Sequence, residues 1–180
     1  MIYAAQDMTS GDSMYIKKNS RSPGIIKTRI LVVDDHPIVR DGLAMLIECE
    51  ADLTVVACAS NAAQAVRATK KHLFDLAIVD MLFKDTTGVQ ITRQIKAICP
   101  KLIVLMFSMS DRVPHIQQAF KAGARGYIIK EELSEKIIYA IRQVLQGKTY
   151  LSKRLSKMFT AIQLSKLLAQ TPKPADRQIQ

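Results

Sequence analysis

Short, mostly apolar runs alternate with longer amphipathic stretches through the middle of the chain. The runs lie at residues 30–33, 53–59, 75–79, 103–107 and 127–129. Runs of this kind are typical of parallel strands buried on both faces, and the stretches between them have the 3.6-residue period of helices with one apolar face. The alternation predicts an α/β fold with a doubly wound, five-stranded parallel sheet and helices on both faces.

The predicted helices cover residues 37–50, 61–72, 88–99, 112–122 and 133–146. Asn61 is a predicted N-cap, Pro100 ends the third helix and Gly147 ends the fifth. We therefore expect the folded domain over residues 29–147. Residues 1–28 lack a regular period and are expected to be disordered, whereas residues 148–180 are expected to form a linker helix, over 151–168, and a basic tail.

Polar side chains stand directly after four of the apolar runs. Asp34 and Asp35 follow the first run, and Asp80 follows the third. Ser108 follows the fourth run, and Lys130 follows the fifth. Because the carboxyl ends of parallel strands meet at one edge of the sheet, where sites form in open α/β folds, we expect these side chains to lie together.

The residue types at that edge indicate phosphoryl chemistry. Three converging carboxylates repel one another unless a cation lies between them, and clustered oxygen ligands suit Mg²⁺. A carboxylate such as Asp80 can attack phosphorus, while Lys130 and Ser108 can bind phosphoryl oxygens. Plainer interpretations exist for each residue alone: a helix cap before Pro37, an ordinary turn residue or a solvated lysine.

Five segments together resemble a known family. They are ILVVDDHPIVRDGL at residues 30–43, DLAIVDMLFKDTTG at 75–88, IVLMFSMS at 103–110, AGARGYIIK at 122–130 and AIRQVLQGKTYL at 140–151. Their spacing also matches, since Asp80 precedes Ser108 by 28 residues and Lys130 by 50. The chain resembles a two-component response-regulator receiver domain of the NarL/FixJ (LuxR-type) family, which implies a CheY-like sheet with strand order 2-1-3-4-5.

The resemblance also implies roles for individual residues at the metal site. Asp80 would be the phosphoacceptor and a Mg²⁺ ligand. Asp35 would bind Mg²⁺ directly, Asp34 would bind it through water, and the Leu82 backbone carbonyl would supply a further metal contact.

The remaining roles concern the phosphoryl group and the response to it. Ser108 and Lys130 would bind the phosphoryl group, and Ser108 with Tyr127 would form the switch, although plain core packing also explains Tyr127. The implied partners are a sensor histidine kinase and, after phosphorylation, a second copy of the chain in a homodimer.

The charge is uneven along the chain. Of the net charge of +10, residues 133–180 contribute +7. A basic segment behind the folded domain suggests a nucleic-acid partner, or only the solvated face of a linker helix. Members of the family continue into a helix-turn-helix domain, but Pro172 and Pro174 break the helical pattern and six residues follow. We therefore expect DNA contact only through a domain that is absent or incomplete here. The sequence is compatible both with a fragment of a DNA-binding regulator and with a receiver that has a short tail.

The function predicted from these features is a phosphorylation-controlled switch. One alternative is a Mg²⁺-dependent phosphohydrolase with an aspartyl-phosphate intermediate. Such enzymes usually carry a second acid two residues after the nucleophile. The other alternative is a phosphate-independent interaction module.

The cysteines Cys49, Cys58 and Cys99 are interpreted as reduced core residues. The three histidines are scattered along the chain, which argues against a histidine metal site. No membrane span or signal peptide is recognised, so we expect a cytoplasmic protein without membrane contact.

Overall fold

Six parallel strands form one sheet in the order β2-β1-β3-β4-β5-β6. A computed structural model describes residues 26–159 and 166–167, apart from the side chains of residues 132–135. The strands are β1 (Thr28–Val33), β2 (Leu53–Ala59), β3 (Leu76–Asp80), β4 (Ile103–Ser108), β5 (Gly126–Ile129) and β6 (Tyr150–Leu151). The predicted order 2-1-3-4-5 is confirmed for the first five strands, and the sixth strand extends it.

Helices connect the strands and cover both faces of the sheet. They are α1 (Pro37–Glu48), α2 (Ala62–Lys71), α3 (Gly88–Ile98), α4 (Val113–Lys121), α5 (Leu133–Leu145) and the short α6 (Lys153–Ser156), with a 3-10 turn at Lys130–Glu132. The predicted cap is confirmed, because the Asn61 side chain accepts a hydrogen bond from the Gln64 amide. Gly147 follows α5 with a φ of 79°, the left-handed conformation that favours glycine after a helix.

Alternate residues of the strands supply two apolar clusters, one on each side of the sheet. In β1, Leu31 and Val33 pack on one side with residues of α2, α3 and α4. Ile30 and Val32 pack on the other side with residues of α1 and α5. Burial on both faces explains why the strands appear in the sequence as continuous apolar runs rather than as alternating patterns.

The prediction of one helix over residues 151–168 is correct only in part, because Lys153–Ser156 and residues 166–167 are helical but the helix neither begins at Leu151 nor continues past Ser156. Leu151 lies in β6, and α6 ends at Ser156, while residues 160–165 lie outside the described residues. The extended conformation after Gly147 completes hydrogen bonds along β5: the Tyr150 amide donates to the Arg125 carbonyl at 3.2 Å. An unpaired strand edge thus decides the conformation of a segment whose apolar spacing fits a helix.

The cysteine prediction is correct only in part. All three thiols are free, and Cys58 is buried, but Cys49 is exposed because it follows α1 on the solvent side.

Among the residues that the structure describes, no helix has the length and apolar character needed to span a bilayer. The predicted disorder of residues 1–28 falls almost entirely outside the described part of the chain.

Candidate functional site

Carboxylates from two neighbouring strands meet at the carboxyl edge of the sheet. Asp34 and Asp35 follow β1, and Asp80 is the last residue of β3, which pairs with β1. One ligand atom from each of these residues and from His36 can be chosen so that all lie within 4.8 Å of one another. Asp34 and Asp80 are 1% and 4% exposed, so their charges are poorly solvated. The predicted convergence of the three carboxylates is confirmed.

Lys130 lies between two of these carboxylates. Its Nζ is 2.6 Å from Asp34 Oδ2 and 3.0 Å from Asp80 Oδ2. It also lies 5.3 Å from the centroid of the Phe107 ring, within the range of a cation–π contact. Lys130 begins the 3-10 turn after β5, so its side chain crosses the end of β4 to reach β3 and β1. The interpretation of Lys130 as a solvated surface lysine is therefore excluded.

The surroundings of Asp80 disfavour its charged form. Burial raises the pKa of Asp80, the nearby charge of Asp34 raises it further, and the contact with Lys130 opposes both effects. Asp80 Oδ1 accepts a hydrogen bond from the Met81 amide at 2.7 Å, which also lowers the pKa. One lysine therefore balances the acidic cluster only in part, and a cation at the cluster would complete the balance.

Asp35 supplies a buried oxygen without a hydrogen bond. Its Oδ1 lies 2.9 Å from His36 Nδ1, but no hydrogen bond to it forms among the described residues. A buried carboxylate oxygen left in this way is costly unless a cation or water binds it. The donor set of Asp34, Asp35 and Asp80 consists of oxygens and carries clustered negative charge, so this acidic cluster could hold a metal ion.

Ser108 is connected to Tyr127 through the loop between β4 and α4. The Ser110 amide donates to Ser108 Oγ at 3.0 Å, and the Tyr127 hydroxyl donates to the Ser110 carbonyl at 2.8 Å. Ser110 Oγ is also 2.7 Å from His115 Nδ1. Ser108 and Tyr127 are both fully buried, and burial raises the pKa of Tyr127 to about 12. The phenol therefore stays a hydrogen-bond donor at neutral pH.

Leu82, the predicted backbone ligand of the metal, lies in the loop after β3. It lies two residues after Asp80, forms an antiparallel bridge with Thr87, and its side chain is half-exposed. The metal contact through its carbonyl stays a prediction.

Two residues of the site were missed in the sequence. His36 was set aside with the other histidines, yet its Nδ1 is 3.1 Å from Asp34 Oδ1, and its position beside two aspartates was the available signal. Arg40 is buried and donates from Nη1 to the Asp34 carbonyl at 2.7 Å, which holds the loop after β1. Its signal was a charged residue among the apolar positions of the first predicted helix.

Comparison with known proteins agrees with this geometry. The sequence profile of the response regulator receiver domain family matches residues 30–142. The oxygen regulatory protein NreC of Staphylococcus epidermidis is 33% identical over 129 residues, which are 71% of this chain and 59% of NreC. The chain thus spans only about three-fifths of the length of this relative and of other NreC proteins that it resembles.

Solved structures give the same result. A LuxR-family two-component response regulator from an Aurantimonas species matches with a TM-score of 0.70 and 31% identity, over 78% of this chain and 96% of that one. The receiver domain of the putative regulator NarL from Mycobacterium tuberculosis matches with a TM-score of 0.63 and 29% identity, over 68% of this chain and 98% of that one.

Proposed function

The chain belongs to the response regulator receiver domain family, with relatives of the NarL and LuxR type, and we propose on that premise that Asp80 accepts a phosphoryl group from a sensor histidine kinase. The observation that carries the proposal is the position of Lys130, whose ammonium group lies within 3.0 Å of both Asp34 and Asp80. A lysine held between two buried carboxylates can release one of them to bind an incoming phosphoryl oxygen.

In the proposed transfer, one carboxylate oxygen of Asp80 attacks the phosphorus atom of a phosphohistidine. The new P–O bond forms as the P–N bond breaks, and the imidazole leaves with the electron pair. Poor solvation of Asp80 favours the attack because little water has to be removed from the nucleophile. Lys130 offsets the charge that develops on the phosphoryl oxygens.

Mg²⁺ is the proposed metal at this cluster. Asp35, Asp80 and the Leu82 carbonyl would bind it directly and Asp34 through water, and the ion would neutralise charge between the carboxylates and the phosphoryl oxygens. Asp35 has an oxygen without a hydrogen bond, whereas Asp34 is bonded to Lys130. We therefore expect Asp35→Ala to weaken Mg²⁺ binding more than Asp34→Ala in a calorimetric titration. Equal losses would contradict the assignment of roles.

The switch proposal starts from Ser108. Its Oγ accepts a hydrogen bond from the Ser110 amide, and in the proposed switch its hydroxyl would donate to a phosphoryl oxygen on Asp80. Movement of Ser108 would displace Ser110 and the hydroxyl of Tyr127, which is bonded to the Ser110 carbonyl. The surface formed by α4, β5 and α5 would then change and favour a homodimer, as sedimentation velocity with and without phosphorylation can measure.

Regulation of transcription is proposed from the relatives, among them the transcriptional regulatory protein DegU of Brevibacillus brevis, 29% identical over 130 residues. The chain spans 55% of DegU, so the proposed contact with DNA rests on the relatives and not on the contacts seen in the receiver domain. Because the proposed kinase would take its phosphate from ATP, a cytoplasmic location is part of the same proposal.

The test is phosphorylation of the whole chain with acetyl phosphate and Mg²⁺, followed by intact mass and release of inorganic phosphate. We expect a gain of one phosphoryl group, lost in Asp80→Asn because the amide has nearly the same shape but is not nucleophilic. Asp85→Asn, at an exposed aspartate in the loop after β3, is the matched control and should be labelled normally. Labelling of Asp80→Asn would exclude Asp80 as acceptor, and rapid repeated turnover would favour the phosphohydrolase.

A further inference from the structure

The segment after α5 docks on the edge of β5. The Ser152 amide donates to the Tyr127 carbonyl at 3.1 Å, and the Ile129 amide donates to Ser152 Oγ at 3.0 Å. Ser152 is fully buried, and Leu155 and Phe159 pack into the apolar cluster that contains Tyr127. Residues 150–159, called here the docked segment, therefore contact the same strand that carries the proposed switch residue.

Arg154 connects the docked segment to two loops of the site. Its Nη2 donates to Asp111 Oδ2 at 3.0 Å, and its Nη1 donates to Glu131 Oε2 at 2.9 Å. Asp111 belongs to the loop between β4 and α4, and Glu131 belongs to the 3-10 turn after β5. A single guanidinium group thus holds together three parts of the chain.

Both partners of Arg154 lie within three residues of a proposed phosphoryl ligand along the chain. Asp111 follows Ser110, whose amide is bonded to Ser108 Oγ. Glu131 follows Lys130, which contacts the phosphoacceptor carboxylate. Both ion pairs of Arg154 are about 3 Å long in this structure, which holds no phosphoryl group, so a shift of either loop toward a phosphoryl group on Asp80 would disturb an ion pair that is already formed.

We propose that Arg154 is a positioning residue that couples docking of residues 150–159 to the phosphoryl site and favours the phosphate-free arrangement of the two loops. This inference rests on the proposed function of the site. By linkage, a segment that stabilises the phosphate-free form weakens phosphoryl binding, and phosphoryl binding loosens the segment by the same factor. The state of the site is thereby passed to whatever follows the docked segment in the chain.

The size of the effect follows from exposure. Arg154, Asp111 and Glu131 are each between 43% and 58% exposed in their side chains, so each pair is screened by water. Exposed pairs contribute little individually, and we expect loss of both to change the affinity of the site by about threefold to fivefold. A change of this size is measurable but does not threaten the fold.

The experiment measures binding of beryllofluoride, a mimic of the phosphoryl group, to the whole chain in excess Mg²⁺. We expect Arg154→Gln to raise the affinity, and Lys153→Gln, which removes the same charge from the neighbouring exposed position, to leave it unchanged. Asp111→Asn should also raise the affinity, and the double variant with Arg154→Gln should show less than the sum of the two effects on the logarithm of the affinity. Asp111→Asn also keeps the test usable if Arg154→Gln folds poorly.

A second readout follows the docked segment itself. Hydrogen exchange of the Ile129 amide, which is bonded to Ser152 Oγ, should become faster in the wild type when beryllofluoride binds. Failure of the wild-type chain to bind beryllofluoride would refute the proposed function of the site. Binding by the wild type with equal or lower affinity in Arg154→Gln would instead overturn the role of Arg154 alone.

Discussion

Replacing Lys130 with methionine should lower the free energy of unfolding, because the acidic cluster loses its balancing charge. Methionine keeps most of the side-chain volume and removes the charge that lies 2.6 Å from Asp34 and 3.0 Å from Asp80. Both carboxylates are at least 95% buried in their side chains, so water cannot replace the lost cation. Removing one partner of a buried ion pair typically costs about 3–5 kcal/mol.

The cost has a ceiling that depends on pH, because the cluster can take up a proton instead of keeping an unbalanced charge. An ordinary aspartate has a pKa of 3.8, which lies about 3.2 pH units below pH 7. Protonating such a carboxylate at pH 7 costs about 1.36 kcal/mol per unit, or about 4.4 kcal/mol in total. At pH 5 the same step costs about 1.6 kcal/mol. A carboxyl whose pKa is raised in the folded state loses stability as pH rises above the unfolded value, so the deficit of the variant should grow with pH.

The assay is urea unfolding of the wild type and Lys130→Met at pH 5 and pH 7, in the presence of a chelator. Lys121→Met, at an exposed lysine in the last turn of α4, is the matched control and should change the free energy of unfolding by less than about 0.5 kcal/mol. Saturating Mg²⁺ should recover part of the loss because it binds the folded cluster. A deficit equal at the two pH values, or below about 1 kcal/mol at pH 7, would refute this electrostatic reasoning.

Three further changes test other parts of the structure. Ser152→Ala should lower the free energy of unfolding by about 1–3 kcal/mol in urea because the buried Ile129 amide loses its acceptor, and a loss below about 0.5 kcal/mol would contradict this. Gly88→Ala should cost at least about 1–3 kcal/mol and slow phosphoryl uptake, since the added Cβ would lie 1.9 Å from the Asp80 carbonyl oxygen; normal stability and uptake would show that the loop relaxes freely. Burial raises the pKa of Cys58 to about 11, so its thiol should resist a thiol reagent at pH 8 until the protein is unfolded, and rapid labelling of the folded chain would contradict its burial.

Much of the fold could be predicted because its signals are local. A run such as residues 30–33 is apolar at every position, which a strand buried on both faces requires, and the structure buries it on both faces. Helix ends were similarly local: the side chain of Asn61 caps α2, and Gly147 adopts the positive φ that ends α5. The convergence of Asp34 and Asp80 followed from strand ends in a parallel sheet, without any knowledge of side-chain contacts.

The sequence by itself therefore determined the order of elements and the set of acidic and basic residues at one edge. Only the tertiary structure decided the conformation of Leu151, whose spacing also fits a helix, because the free edge of β5 offered hydrogen bonds that no local pattern encodes. It also decided the contacts of Arg154, whose partners lie 23 and 43 residues away along the chain. Such contacts depend on how finished elements pack, and packing is a property of the whole chain rather than of any short stretch.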